Sequence, residues 1–208
     1  TLDVTTAPGK FIAGLLARRA ADAGPITFLP CDNVPDNGHM VAGVLSSLAT
    51  AVDPTLVAWM NDNVSFATTM VDRITPATTD ADRAEIAGLI GMEDVWPVVT
   101  EEFTQWVIED TFSMGRPEWT IGGGIFSNEI ECWENMKLRC LNGAHSTLAY
   151  LGQLFGRETV ASAMEFGLIT DVLDELWPEI REVLHAPQGV NTADYVESLK
   201  QRFRNPNL

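Results

Sequence analysis

Apolar residues recur at helical spacing near the start of the chain. Phe11, Ile12, Leu15 and Leu16 share one side of a predicted helix over residues 8–23, opened by Pro8 and stopped by Gly24-Pro25. The next apolar run, Ile26-Thr27-Phe28-Leu29, is too short for a helix. It predicts a buried strand that empties into the polar Cys31-Asp32-Asn33. Helical patterns return over 39–51 and 54–62, the second opened by Pro54. The β-branched stretch 64–74 predicts one strand ending at the polar pair Asp72-Arg73, and Thr79 is placed to cap a helix over 80–89. Residues 96–99 and 106–108 read as two short strands, Gly122-Gly123-Gly124 as a flexible connector, and the opening 1–6 as strand-like.

After about Asn128 the pattern changes. One long apolar helical stretch runs over 132–156 and is closed by Gly156, and further helices are predicted over 159–166, 170–184 and 193–203. This predicts an α/β region over 1–127 followed by an all-α region over 128–208. In open α/β sheets ligands sit beyond the carboxyl ends of the strands, so Asn33 and Asp72, each ending a predicted strand, are candidates for a site. The ordinary alternative for both is a turn or cap residue.

Composition narrows the function classes. Thirteen Lys and Arg against 29 Asp and Glu give a net charge of −16 over 208 residues, with 46% apolar and 20% charged residues. That is a globular composition, and its acidity argues against a nucleic-acid backbone or an anionic membrane as partner. No apolar run approaches the roughly 20 residues that span a bilayer, and no secretory signal pattern opens the chain. Cys31, Cys132 and Cys140 are too few and too scattered for a disulfide framework, which points to a reducing cytoplasm. With His145 they lack zinc-ligand spacing, so no metal site is expected.

Chemistry concentrates in Glu134-Asn135-Met136-Lys137-Leu138-Arg139-Cys140-Leu141-Asn142-Gly143-Ala144-His145. At about 100° per residue, Lys137, Asn142 and His145 fall within one broad helical side, with Glu134 a turn earlier. A desolvated lysine moves toward working pH and serves as an acid or base; a carboxamide donates to a developing alkoxide; an imidazole orients a hydroxyl. The ordinary reading of Lys137 is a snorkelling surface lysine, and of His145 a structural group. Asn142-Gly143 in mid-helix is the less ordinary feature, because both residues cost helix stability.

Longer blocks carry a resemblance. Cys31-Asp32-Asn33-Val34-Pro35-Asp36-Asn37-Gly38, Thr69-Met70-Val71-Asp72-Arg73-Ile74-Thr75-Pro76, Gln105-Trp106-Val107-Ile108-Glu109-Asp110, Gly115-Arg116-Pro117-Glu118-Trp119, Met136-Lys137-Leu138-Arg139 and Leu141-Asn142-Gly143-Ala144-His145-Ser146 follow one another in a recognisable order. From about Pro8 to Pro206 the sequence resembles the polyol-specific long-chain dehydrogenases, the family of mannitol 2-dehydrogenase and fructuronate reductase (mannonate oxidoreductase). Asn37-Gly38-His39 and Ala51-Val52-Asp53 incline the likeness toward the hexuronate reductases.

The resemblance implies part of a Rossmann-like parallel-sheet domain followed by a helical substrate domain, with the active site between them. It implies a metal-independent oxidoreductase using NAD, with NADP open, that interconverts D-fructuronate and D-mannonate, or alternatively D-fructose and D-mannitol. Lys137 is then the general acid/base; Asn142 and Asn33 polarise the substrate oxygen; His145 holds a substrate hydroxyl. Asp72 lies near the nicotinamide end of the cofactor, and Glu134 near the path by which protons leave Lys137. The partner is a small sugar acid or polyol. Such enzymes are more than twice as long, so the glycine-rich turn for the cofactor pyrophosphate is expected upstream of Thr1. A rival from another class is a catalytically silent module that survives as a folded binding unit.

Overall fold

The structure, a computed structural model, describes residues 4–207. The strand-like reading of 1–6 falls partly on residues 1–3, outside the described residues. Residues 4–6 are not a strand: the Thr6 hydroxyl accepts from Gly9 N at 3.3 Å and caps helix α1 (Ala7–Ala20).

The chain forms two compact units. The first runs to Val71 and resumes over Gln105–Glu131. It holds α1, strand β1 (Ile26–Phe28), helices α2 (Asn37–Val52) and α3 (Pro54–Asn63), strand β2 (Val64–Phe66) and most of strand β3 (Thr69–Asp72). Strands β4 (Gln105–Ile108) and β5 (Gly124–Phe126) complete it. β1 pairs in parallel with β2, with Ile26 opposite Val64, and β4 in parallel with β5, with Trp106 opposite Gly124. β3 lies beside β4. Ile12 and Leu15 of α1, Leu45 and Ala49 of α2, and Leu56 and Met60 of α3 form a buried cluster against which Phe28 and Phe66 pack.

The second unit takes Asp72–Thr104 and the chain from Cys132 onward. It contains α4 (Asp80–Ile90), most of α5 (Ile130–Met136), α6 (Gly143–Leu154), α7 (Val160–Met164), α8 (Gly167–Val183) and α9 (Thr192–Phe203). Where the sequence pattern divides the chain once near residue 127, packing thus gathers 72–104 with the C-terminal helices. Among the described residues, no helix is long and apolar enough to cross a membrane.

Four local expectations are corrected. The stretch 64–74 is two strands, because Thr68 turns its backbone to Glu109: Glu109 Oε2 accepts from Thr68 N, and Glu109 N donates to Thr68 O, each at 2.9 Å. Residues 96–99 are not a strand; Pro97 brings no N–H to a ladder, and Trp96 is 83% exposed. The glycine triplet is not a free connector. Gly122 ends a 3₁₀ turn (Trp119–Gly122), Gly123 takes φ +89°, and Gly124 begins β5 with its Cα facing the Trp119 backbone. Finally, 132–156 is not one uniform α-helix. α5 passes into a π-helical turn (Lys137–Asn142) and then α6, although Gly156, at φ +68°, does close the stretch.

The loop that leaves β1 is fixed by Asn37, which the sequence pattern did not single out. Its buried amide donates to Asp32 O at 2.9 Å and Thr69 O at 2.8 Å, and its oxygen accepts from Thr69 N at 3.0 Å. The carboxamide therefore substitutes for a strand edge between this loop and β3. Beside it, a Cβ on Gly38 would stand 2.6 Å from the Thr68 hydroxyl and 2.8 Å from Thr68 N. Gly38→Ala is expected to cost about 1–3 kcal/mol through this overlap, read as a lower urea midpoint; an unchanged midpoint would show that the loop relaxes freely.

Candidate active site around Lys137

The residues singled out in the sequence divide between the two units. Asn33 lies in the first, exposed on the loop after β1 whose preceding residue, Asp32, is held by Asn37. Lys137, Asn142, His145, Asp72 and Glu134 all belong to the second.

Lys137 opens the π-helical turn and is 8% exposed. Burial to this degree argues against the snorkelling alternative, in which the residue would lie at the surface. The turn also accounts for Asn142-Gly143. Gly143 N–H donates to Leu138 O, five residues back, as a π turn requires, so helical spacing at 100° per residue does not describe this segment. A wide turn loosens the backbone ladder and needs outside support. Trp177 of α8 supplies it, donating from Nε1 to Cys140 O at 3.0 Å in a buried position. Exposure rises from Lys137, buried, through Asn142, half-buried, to His145, exposed and stacked on Phe203 with ring centroids 6.1 Å apart.

Burial is the largest influence on the Lys137 amine and pushes its pKa below the ordinary lysine value of 10.5. Asp72 pulls it back up, Arg202 pushes it down, and Glu134 raises it in smaller measure. Glu134, half-buried on α5, is thus within electrostatic reach of Lys137.

Asp72 is held by an arginine of the C-terminal helix. Its side chain is 2% exposed, and both oxygens are bound by Arg202 of α9: Nη1 donates to Oδ2 at 2.9 Å and Nη2 to Oδ1 at 2.8 Å. Arg202 also donates to Glu101, Nε to Oε2 at 2.9 Å and Nη2 to Oε1 at 2.7 Å, and its guanidinium lies 4.0 Å over the Phe103 ring. Glu101 in turn accepts from Ile74 N at 2.6 Å, and its backbone oxygen accepts from Arg73 Nε at 2.9 Å. Burial by itself would lower the Arg202 pKa; the hydrogen bonds and charges of the two carboxylates overcome this and raise it. Tyr195, also on α9, is buried, and burial together with the Asp72 charge pushes its phenol above the ordinary value.

Arg202 and Glu101 carry no signal in the sequence, since Arg202 meets Asp72 across 130 residues and Glu101 across 101. Consecutive residues of α9, Arg202 and Phe203, reach Asp72 and His145 respectively. Among the described residues no three His, Cys, Asp or Glu side chains gather as a metal-holding group.

Such an arrangement can move a proton: a desolvated amine whose charge is set by two carboxylates and a guanidinium, with a carboxamide and an imidazole on the following turns. The mannitol dehydrogenase Rossmann domain matches residues 3–121, and the mannitol dehydrogenase C-terminal domain matches residues 129–208. D-mannonate oxidoreductase of Escherichia coli (strain K12) is 42% identical over 212 residues, covering 100% of this chain and 44% of its own length. The crystal structure of D-sorbitol dehydrogenase in substrate-free form superposes with a TM-score of 0.90 at 33% identity, covering 98% of this chain and 42% of that one. Pseudomonas fluorescens mannitol 2-dehydrogenase, in a ternary complex with NAD and D-mannitol, gives a TM-score of 0.85 at 38% identity, over 96% of this chain and 41% of that one. This chain spans about two fifths of the length of these relatives.

Proposed function

The chain belongs to the mannitol dehydrogenase family, and from that premise we propose that it carries the proton-transfer group of a nicotinamide-dependent oxidoreductase acting on a polyol or hydroxy sugar acid. One observation carries the reading: Lys137 is buried on a π-helical turn with its pKa lowered, at the head of Lys137, Asn142 and His145.

A dinucleotide fits the first unit. Its strands pair in parallel, and the loop leaving β1 presents Asn33 in the open, where a carboxamide can hydrogen-bond a ligand. Asn33 is assigned to the cofactor and the reacting oxygen. When bound, the nicotinamide supplies the hydride in reduction and takes it up in oxidation. Lys137 does the complementary work. As an ammonium it gives a proton to the ketone oxygen, and as a neutral amine it takes one from the alcohol. Asn142 donates to that oxygen as its charge develops, and His145, steadied by Phe203, holds a neighbouring hydroxyl. Glu134 carries protons to and from Lys137. Asp72, with both oxygens on Arg202, is assigned to the field at Lys137 rather than to the cofactor itself.

The substrate pair we favour is D-fructuronate and D-mannonate, supported by the identity with D-mannonate oxidoreductase; the mannitol 2-dehydrogenase likeness makes D-fructose and D-mannitol the second reading. Initial rates of the whole protein on keto-uronates and neutral ketoses, with NADH and with NADPH, separate these.

The same assay tests Lys137. Because the neutral amine is the base in alcohol oxidation, kcat/KM is expected to rise with pH through an inflection below 10.5 that belongs to Lys137. Ketone reduction needs the ammonium and falls over the same range. A profile flat in both directions would remove a titrating lysine from the mechanism.

A further inference from the structure

We propose that Arg202 is a positioning residue for Lys137: shared between Asp72 and Glu101, its guanidinium keeps Asp72 from becoming a private counter-ion of the amine. This rests on reading Lys137 as the proton-transfer group. The geometry is that of the buried triad. Arg202 binds both oxygens of Asp72 and both of Glu101, with side chains 6%, 2% and 3% exposed. Phe103 covers one guanidinium face.

The charged groups acting on Lys137 come from three elements: Asp72 at the end of β3, Arg202 on α9 and Glu134 on α5. Arg139 and Arg181 act on Cys140 instead, and Tyr195 stands by Asp72 and Arg202. A carboxylate free to turn to Lys137 would hold it as an ammonium and make a poor base. With both Asp72 oxygens committed to a fixed, permanently charged fork, the amine feels a carboxylate whose charge is largely answered at contact distance. Glu101 has a second part: it draws Arg202 into place and offsets its positive charge. A purely structural triad would tie 72–104 to α9 and leave the titration of Lys137 untouched.

The test reads that titration directly. The described chain has only three lysines, Lys10, Lys137 and Lys200, so lysine ¹³Cε NMR of cofactor-free protein is tractable, with the Lys137 signal identified by its loss in Lys137→Arg. Asp72→Asn keeps an oxygen for Arg202 but removes the anion, and is expected to move the Lys137 midpoint down by about one pH unit. The double variant E101Q/R202Q removes one charge of each sign and leaves Asp72 to Lys137; its midpoint is expected to move up by about one unit. The inflection in alcohol oxidation should follow in each. Midpoints that stay put in both variants, or move the same way, overturn the proposal. Should the double variant not fold, Asp72→Asn decides alone, and an unmoved midpoint there overturns it. Because the readout is the amine and not turnover, a catalytically irrelevant Lys137 shows up elsewhere, as undiminished activity in Lys137→Ala.

Discussion

Lys137→Ala is expected to lower turnover in both directions by roughly 10²- to 10⁴-fold, the range of a positioned general acid/base. Cofactor affinity should change little, since the amine is assigned to the substrate oxygen. The pH inflection that belongs to Lys137 should vanish with it, leaving a residual rate carried by orientation and the remaining donors. The substitution empties a site at the start of the π-helical turn, so small primary amines added to the assay should restore part of the rate, and restore it as their neutral form becomes available. Lys137→Arg should not rescue: a guanidinium stays charged and cannot act as the base. Turnover within a few-fold of wild type in Lys137→Ala would end the proton-transfer reading, whatever the family likeness.

The second large effect is on stability. Arg202→Ala strands two buried carboxylates, Asp72 and Glu101, that have four hydrogen bonds from one guanidinium. Removing one partner of a buried ion pair costs about 3–5 kcal/mol, most of it the desolvation of charges left without answer. A large drop in the urea midpoint is therefore expected. Removing all three charges together, Asp72→Asn with Glu101→Gln and Arg202→Met, should recover most of the loss, because the penalty arises from unpaired charge and not from lost contact. Equal midpoints for Arg202→Ala and wild type would mean that water reaches the carboxylates once the guanidinium is gone.

These two residues mark the edge of what a linear reading reveals. Lys137, Asn142 and His145 stand at fixed spacing in an apolar helical stretch, so their candidacy was legible. The π-helical turn between them was not, because side-chain periodicity reports which face is apolar and says nothing about whether each N–H reaches back four residues or five. Asn142-Gly143 hinted at it as a cost without a visible return; the return is Trp177 on the Cys140 carbonyl, 37 residues away. Asn37 carried no structural signal of its own, yet its buried amide holds the loop that carries Asn33 to β3.

Helices fared better than strands for a related reason. α1, α3 and α4 carry their own signals in Thr6 and Pro8, Asp53 and Pro54, and the Thr79–Asp82 capping box. A strand is decided by its neighbour. The run at 96–99 has strand-like residues and is not a strand, while Gly122-Gly123-Gly124 reads as a connector and its last residue begins β5, which pairs with β4.

Local propensity and spacing along the chain thus determined the order of α/β and helical segments, the positions of most helices, and the amine, amide and imidazole in one short stretch. Tertiary structure alone decided how strongly that amine is desolvated, that Asp72 is bound by an arginine 130 residues on, and that 72–104 packs with the C-terminal helices. Burial and ion pairing are properties of groups brought together from distant positions, and no local pattern of side chains encodes them.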